Sequence, residues 1–518
     1  MNYEVCSHNT TNKDYYKFIY TSPFIVKTEM IKEFFKDTLN YLPALAIPAI
    51  VGLLTIPIVT HLFPPGDYGN YSLTITTVSL FATFLSWASV SIIRFYPAYQ
   101  RDSKIYEFNS NIIKLTFISI LVVSLIFICI LIFARSFMSP ELYSYLGIGI
   151  FLNILTCCFN VLTQFLRIKG QANWYSGFTV WKSIAGIGFG VLLVKLFHLG
   201  VEGLLYGNIL SLAISLPFLL QKSVGKISLK LKLSASLSRE VFKYGFPLVV
   251  TQLAAWLLNL SDRYILGFFR GSTEVGIYSA GYGISEKGIT LILSAITLAS
   301  GPMLINIWEK EGKDKSCEFL EKLTRYYIII CLPVVVGLSV LAYPIMHFFT
   351  VTEYIVGYTI FPFVSLGLFF FGLQWIFQSA FRFYKKTYLT MCCISTSGLL
   401  NIGLNFGFVP KYGFMAAAVT TFISYVFLLL MVVVFSRKLF IWKFPFKSLV
   451  KVAAASAIMG MIVYPVGNNM TSFVPINLIL SVFVGVVVYT VMLFLMGEPS
   501  QKEIQTLQLL KAKFLKKR

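Results

Sequence analysis

Gly69-Asn70-Tyr71-Ser72 follows a long apolar run that carries Pro43, Pro48 and Pro57, and Gly276-Ile277-Tyr278-Ser279 follows another that carries Pro247. The two stretches start about 200 residues apart and align with only a roughly three-residue insertion near the turn. A chain whose hydrophobic halves repeat in this way has the architecture of a transporter, in which two similar bundles rock about a site held between them.

The composition agrees. The 518 residues are 57% hydrophobic and 13% charged, whereas soluble domains carry about 25% charged residues. A helix needs about 20 apolar residues to cross a hydrocarbon core of about 30 Å. About fourteen such runs are present, at 41–62, 71–93, 115–134, 145–166, 175–194, 203–220, 244–265, 276–303, 326–346, 357–381, 389–408, 415–435, 449–467 and 474–496. In lipid only helices and closed barrels satisfy the backbone, and runs this long and continuously apolar are helices. The expected fold class is an all-α polytopic membrane protein of about 14 transmembrane helices, built as two parallel six-helix repeats plus two C-terminal helices.

The formal charge of +21 brings nucleic acid to mind, but its distribution excludes that partner. Lys and Arg cluster in alternate gaps, among them Arg94 to Lys114, Lys222 to Lys243, Lys310 to Arg325 and Arg437 to Lys447, and the intervening gaps hold almost none. This is the positive-inside pattern, which puts both termini in the cytoplasm, with membrane lipids of anionic headgroup as partners of the basic loops. Residues 1–40 read as a cytoplasmic N-terminal tail, either disordered or the product of a start assigned upstream of Met30. The first six-helix half spans 41–221, a basic cytoplasmic linker 222–243, and the second six-helix half 244–436. Helices 13 and 14 span 437–496, and 497–518 is a basic cytoplasmic tail. Each half holds an even number of helices, so the two are parallel and enclose a cavity between them. The bends that proline puts into the first helix suit a segment that flexes between inward- and outward-facing states.

No catalytic constellation appears: the four histidines are isolated, the eight cysteines have no metal or redox spacing, and there is no phosphate loop. No cofactor, metal site or enzyme activity is expected. Ionisable groups inside a bilayer are costly and face a cavity by default. Four cations qualify as substrate-binding: Arg94 at the inner end of the second run, Lys182 two turns inside the fifth, Arg263 in the seventh and Lys287 in the eighth. Asp262 and Glu286 are coupling carboxylates or structural ion-pair partners, which leaves coupling to H⁺ or Na⁺ open. Adjacent residues on a helix point about 100° apart, so a cross-pair between the seventh and eighth helices is as plausible as pairing within each couple. The first six runs hold no Asp or Glu in their membrane interiors. A cationic lining without carboxylates suits an anionic ligand, phosphate above all.

Pro57-Ile58-Val59-Thr60, Pro65-Gly66-Asp67-Tyr68-Gly69 and Arg94-Phe95-Tyr96-Pro97 resemble the opening of bacterial polysaccharide-transport proteins. Tyr244-Gly245-Phe246-Pro247, Ser261-Asp262-Arg263-Tyr264 and Gly276-Ile277-Tyr278-Ser279 are similar to the start of their second half. These are the Wzx-like oligosaccharide flippases of the multidrug/oligosaccharidyl-lipid/polysaccharide (MOP) exporter superfamily. The resemblance implies a flippase that carries undecaprenyl-diphosphate-linked oligosaccharide across the bacterial cytoplasmic membrane for O-antigen, capsule or a related polymer, by alternating access. It also implies polysaccharide polymerase and chain-length machinery as partners, and a cationic cavity. The alternatives are a lipid II flippase, a cation-coupled small-molecule exporter of the same superfamily, and a membrane-embedded glycan polymerase or ligase. The last is disfavoured because every external loop is short.

Overall fold

The computed structural model describes residues 23–224, 233–468 and 474–498, with side chains from Asn40 onward. The expected tail before Pro23, the middle of the basic linker and the tail beyond Glu498 lie outside the described residues. Every regular element among the described residues is helical. Twelve helices are long and apolar enough to cross a membrane.

The first half contains α1 (Pro23–Leu62), α2 (Pro65–Phe84), α3 (Ser86–Arg101), α4 (Ile105–Ala134), α5 (Pro140–Ile168), α6 (Ala172–Phe197) and α7 (Glu202–Ser223). α2 and α3 are one span interrupted at Leu85. The second half contains α8 (Ala235–Arg270), α9 (Ser272–Val340), the short α10 (Ala342–Phe349), a 3₁₀ segment (Thr352–Ile360), α11 (Phe361–Phe377), the five-residue α12 (Ser379–Phe383) and α13 (Thr387–Arg437). α14 (Phe446–Asn468) and α15 (Val474–Leu495) follow. The 69 residues of α9 would stretch about 100 Å as one straight helix at 1.5 Å per residue, far beyond a bilayer core. Gly312, at φ 81° and ψ −164°, divides α9 in two, and Gly413, at φ 59° and ψ −144°, divides α13. Both conformations lie in the positive-φ region that glycine enters without a Cβ penalty.

Two boundaries differ from the sequence reading. Helical structure begins at Pro23 rather than near 41, and α8 begins at Ala235, nine residues inside the stretch assigned to the linker. The apolar run marks only the part of a helix in hydrocarbon. α8 continues past it because the Ser234 hydroxyl caps its first turn, accepting from the Leu237 N–H at 3.4 Å.

The two halves meet most closely at the end of the bundle away from the Lys/Arg-rich loops. A methyl group built on Gly69 would overlap the Ser272 carbonyl, and one built on Gly276 would overlap the Pro65 carbonyl. The contact is therefore reciprocal: the first turn of α2 lies on the first turn of α9, each through its glycine. Around it, Ser72 Oγ and Ser279 Oγ are 2.7 Å apart, and Ser272 Oγ donates to Asn70 Oδ1 at 2.5 Å. Deeper in the bundle, Trp256 Nε1 donates to Ser79 Oγ at 2.9 Å and the Thr77 and Tyr264 hydroxyls meet at 2.5 Å.

At the basic end α3 of the first half packs against α8 of the second. Gly245 lies against Trp87 and Ser91, the Ser91 hydroxyl donates to the Val241 carbonyl at 3.4 Å, and Phe95 meets Tyr244 edge-on at 5.6 Å. The linker is pinned to the first half on both sides. Lys169 Nζ donates to the Ser223 carbonyl at 2.6 Å, Asn109 Nδ2 to the Val224 carbonyl at 3.3 Å, and the Ser234 N–H to Asn111 Oδ1 at 2.8 Å. α14 and α15 pack on the second half, where Tyr489 donates to the Ile329 carbonyl at 2.6 Å. Arg325 and Lys451 hold the buried Glu498 there, at 2.9 and 3.9 Å.

Replacing Gly69 by valine forces three extra carbons into a contact with no space, an overpacking worth about 1–3 kcal/mol. The expected outcome is separation of α2 from α9 in an otherwise folded protein. It is measured as faster reaction of a Ser72→Cys reporter with a bulky hydrophilic maleimide in the Gly69→Val background than in the wild-type background.

Candidate functional site: a polar cavity and a buried ion pair

A cavity of about 490 Å³ lies among α1, α2, α3, α5 and α6 of the first half, with Gln252 of α8 also lining it. Its volume falls in the range of small-molecule sites, about 300–1,000 Å³. Lys182 on α6 is the only charged residue among its lining residues. Around it stand uncharged polar groups, notably Asn160 and Gln164 on α5, Ser86 and Ser89 on α3, and Ser183 next to the lysine. Asn160 and Gln164 share a face because they are four residues apart. The Lys182 ammonium sits 5.1 Å from the centre of the Phe159 ring, a cation–π contact that holds the charge at the cavity wall. No acidic residue lines the cavity.

The other three cations lie elsewhere. Arg94 is exposed on α3 beside Ile93, which does line the cavity. Lys287 is one-third exposed and pairs with Glu286 at 3.3 Å, and its stem lies against Gly52 of α1, at the seam between the halves. Arg263 is only 7% exposed and belongs to a separate polar cluster in the second half. The structure thus brings Lys182 alone to the cavity, with Arg94 next to its wall.

That second cluster centres on Asp262, which is fully buried. Oδ1 accepts from the Arg263 N–H at 2.8 Å and from Arg263 Nη1 at 3.4 Å. Oδ2 accepts from the Tyr278 hydroxyl and, at 3.4 Å, from Thr421 Oγ1. Behind Thr421 the chain of bonds continues. Asn401 Nδ2 donates to Thr421 Oγ1 at 3.3 Å, Asn405 Nδ2 to Asn401 Oδ1 at 3.0 Å, and Thr420 Oγ1 to Asn405 Oδ1 at 2.9 Å. The Arg263 guanidinium lies over the rings of Tyr278 and Tyr282, 5.6 and 5.0 Å from their centres, and also donates to the Asn259 carbonyl at 3.3 Å. Both couples therefore pair internally, Asp262 with Arg263 and Glu286 with Lys287, and neither forms the cross-pair between helices that the sequence equally allowed.

Sequence reading missed the uncharged members of both clusters. A signal for them existed: amides four residues apart inside an apolar run, Asn160 and Gln164 or Asn401 and Asn405, share a helix face that needs polar partners.

The family profile described as polysaccharide biosynthesis protein matches residues 34–308, and the profile MatE matches residues 247–406. A probable low-salt glycan biosynthesis flippase of Haloferax volcanii, Agl15, is 22% identical over 390 residues, which is 74% of this chain and 80% of that protein. A putative O-antigen transporter of Shigella flexneri is 26% identical over 222 residues, 42% of this chain and 51% of the relative. Among solved structures, the lipid II flippase MurJ in an inward closed conformation superimposes with a TM-score of 0.71 at 20% identity, covering 87% of this chain and 96% of its own.

Removing one member of the Asp262–Arg263 pair strands the other in a low-dielectric interior, which costs about 3–5 kcal/mol, whereas removing both together is often nearly neutral. Asp262→Leu is expected to lower the thermal unfolding temperature of the purified protein sharply. Asp262→Leu combined with Arg263→Met is expected to recover most of that loss, as read by fluorescence-detected melting.

Proposed function

The chain belongs to the polysaccharide biosynthesis protein family, transporters of the MOP superfamily rather than enzymes, and from that premise we infer that it flips a polyprenyl-diphosphate-linked oligosaccharide from one leaflet to the other. The observation that carries this reading is the cavity lined by one cation, many uncharged hydrogen-bonding groups and no carboxylate. Sugars are recognised by amides and hydroxyls, and a diphosphate by cations. In this proposal Lys182 holds the anionic head, Asn160, Gln164 and Gln252 meet the first sugars, and Arg94 receives the diphosphate at the cavity's basic end. The isoprenoid tail stays in the bilayer. Undecaprenyl as the lipid, and O-antigen or capsule as the polymer, follow from the resemblance of its motifs.

Alternating access supplies the mechanism. Fourteen spans are proposed, counting α9 and α13 as two each, arranged as two parallel six-helix repeats with both termini in the cytoplasm of a bacterial inner membrane. The reciprocal Gly69–Gly276 contact supports this arrangement, since an axis along the membrane normal exchanges its two sides. The halves close there, opposite the basic loops, and the cavity lies among the spans that end at those loops. Polysaccharide polymerase and chain-length machinery are the proposed partners on the receiving side. The membrane potential assists: a dianion leaving a negative interior through 100 mV gains at most about 4–5 kcal/mol, at about 2.3 kcal/mol per charge.

Lys182→Ala is expected to abolish surface polymer in a flippase-null strain while the protein level is kept, and Lys182→Arg to restore at least part of it. Full polymer production by Lys182→Ala, scored by gel of the extracted polysaccharide, would remove the charge-recognition model. Loss of viability on deletion of the gene, in place of loss of polymer, would move the substrate to lipid II.

A further inference from the structure

A transporter coupled to H⁺ or Na⁺ needs a carboxylate in the membrane that is free to take the ion. Asp262 is the one acidic residue among the described residues that is wholly buried inside a span. Its surroundings resemble a cation cage in ligand type: one carboxylate, the hydroxyls of Thr420 and Thr421, and the amides of Asn401 and Asn405. The lone pairs, however, are already in use. An ionised carboxylate has about four acceptor sites, and Asp262 fills them with the Arg263 N–H, Arg263 Nη1, the Tyr278 hydroxyl and the Thr421 hydroxyl. The side-chain carbonyls of Asn401 and Asn405 already accept one bond each, from Asn405 and Thr420 respectively, and so turn toward those donors rather than toward the carboxylate.

Charge leads to the same result. Asp262 and Arg263 sum to zero, and an added Na⁺ or H⁺ would leave a net positive charge where desolvation is costly. The guanidinium is held where it is by the faces of Tyr278 and Tyr282 and by the Asn259 carbonyl. The remaining titratable groups that face the pair are Tyr68 on α2, Tyr425 on α13 and Glu286 on α9. None of the tyrosines is ionised near neutral pH, and Glu286 has its own cation in Lys287. Among the described residues no unpaired carboxylate faces this pair in place of Asp262.

We propose that Arg263 is an internal counter-cation occupying the place a coupling ion would take beside Asp262, so that this transporter binds neither Na⁺ nor H⁺ as part of its cycle. Asp262 and Arg263 then form a fixed electroneutral pin joining α8, α9 and α13, and the driving force lies in the substrate's own charge and gradient. This inference rests on the transporter reading but not on the identity of the substrate, and no lipid-linked glycan enters its test. A negative result would therefore leave the flippase assignment standing.

The test uses the full chain, purified in nanodiscs, with ²²Na⁺ as probe in a scintillation proximity assay. Thermal unfolding in NaCl is compared with choline chloride at equal ionic strength, at pH 6 and pH 8. Wild type is expected to bind no ²²Na⁺ and to melt at the same temperature in both salts at each pH. Arg263→Gln frees the carboxylate. It is expected to be destabilised in choline, to gain saturable ²²Na⁺ binding, and to recover by about 3 °C or more in Na⁺ through ligand linkage. Arg263→Lys keeps the cation and is expected to behave as wild type, which a merely structural role for the guanidinium would not give. Adding Asp262→Asn to Arg263→Gln is expected to remove the acquired Na⁺ response. Saturable Na⁺ binding by wild type that Asp262→Asn abolishes would overturn the proposal, as would a folded Arg263→Gln protein that gains no Na⁺ binding. If Arg263→Gln does not fold, wild type and Asp262→Asn decide: equal indifference to Na⁺ supports the proposal, and a Na⁺ response lost in Asp262→Asn overturns it.

Discussion

Where α2 crosses α9, the two backbones touch, and the contact exists because Gly69 and Gly276 have no side chains. In a membrane the hydrophobic effect does not drive helices together, so close backbone approach and the hydrogen bonds it permits become the main source of cohesion. The glycine contact brings Ser72 to Ser279 and Asn70 to Ser272. It also sets the depth at which Tyr264 and Trp256 of the second half reach Thr77 and Ser79 of the first. The cavity lies toward the other end of the bundle, where α3 packs against α8.

The two carboxylate couples deep in the spans of α8 and α9 are neutralised by the adjacent residue, and a third carboxylate just past α15 is held the same way by cations. Asp262 has Arg263, Glu286 has Lys287, and at the basic end Glu498 has Arg325 and Lys451. Lys182 differs from these couples, with an aromatic ring for a neighbour and no ion pair among the described residues. A lone cation at the wall of a polar cavity is costly to the empty protein, and an anionic ligand offsets that cost when it enters. That difference separates structural charges from a recognition charge more clearly than the count of cations does.

The span positions could be read from the chain because the cost of unsatisfied backbone in lipid imposes a long, apolar signature on each crossing. Helix ends could not, because beyond the hydrocarbon a helix continues or stops according to local caps such as Ser234 and to polar packing. The candidate residues were legible one at a time: every cation and carboxylate singled out in the runs is where an ionisable group must be explained. Their grouping was not. Arg263 and Lys182 look alike in the sequence, yet one is pinned between Tyr278 and Tyr282 and the other borders the cavity.

Composition and periodicity by themselves determined that the chain is a helical membrane protein and which of its connecting segments carry the positive charge. The paired Gly-x-Tyr-Ser stretches gave the expectation of a duplication as well. Only tertiary structure decided that these two stretches lie against each other, that the charged couples pair within themselves, and that one lysine of four cations enters the cavity. The reason is geometric: neighbouring residues on a helix diverge by about 100°, so a side chain's partner is set by which helices pack beside it and at what depth, and no spacing along the chain encodes that.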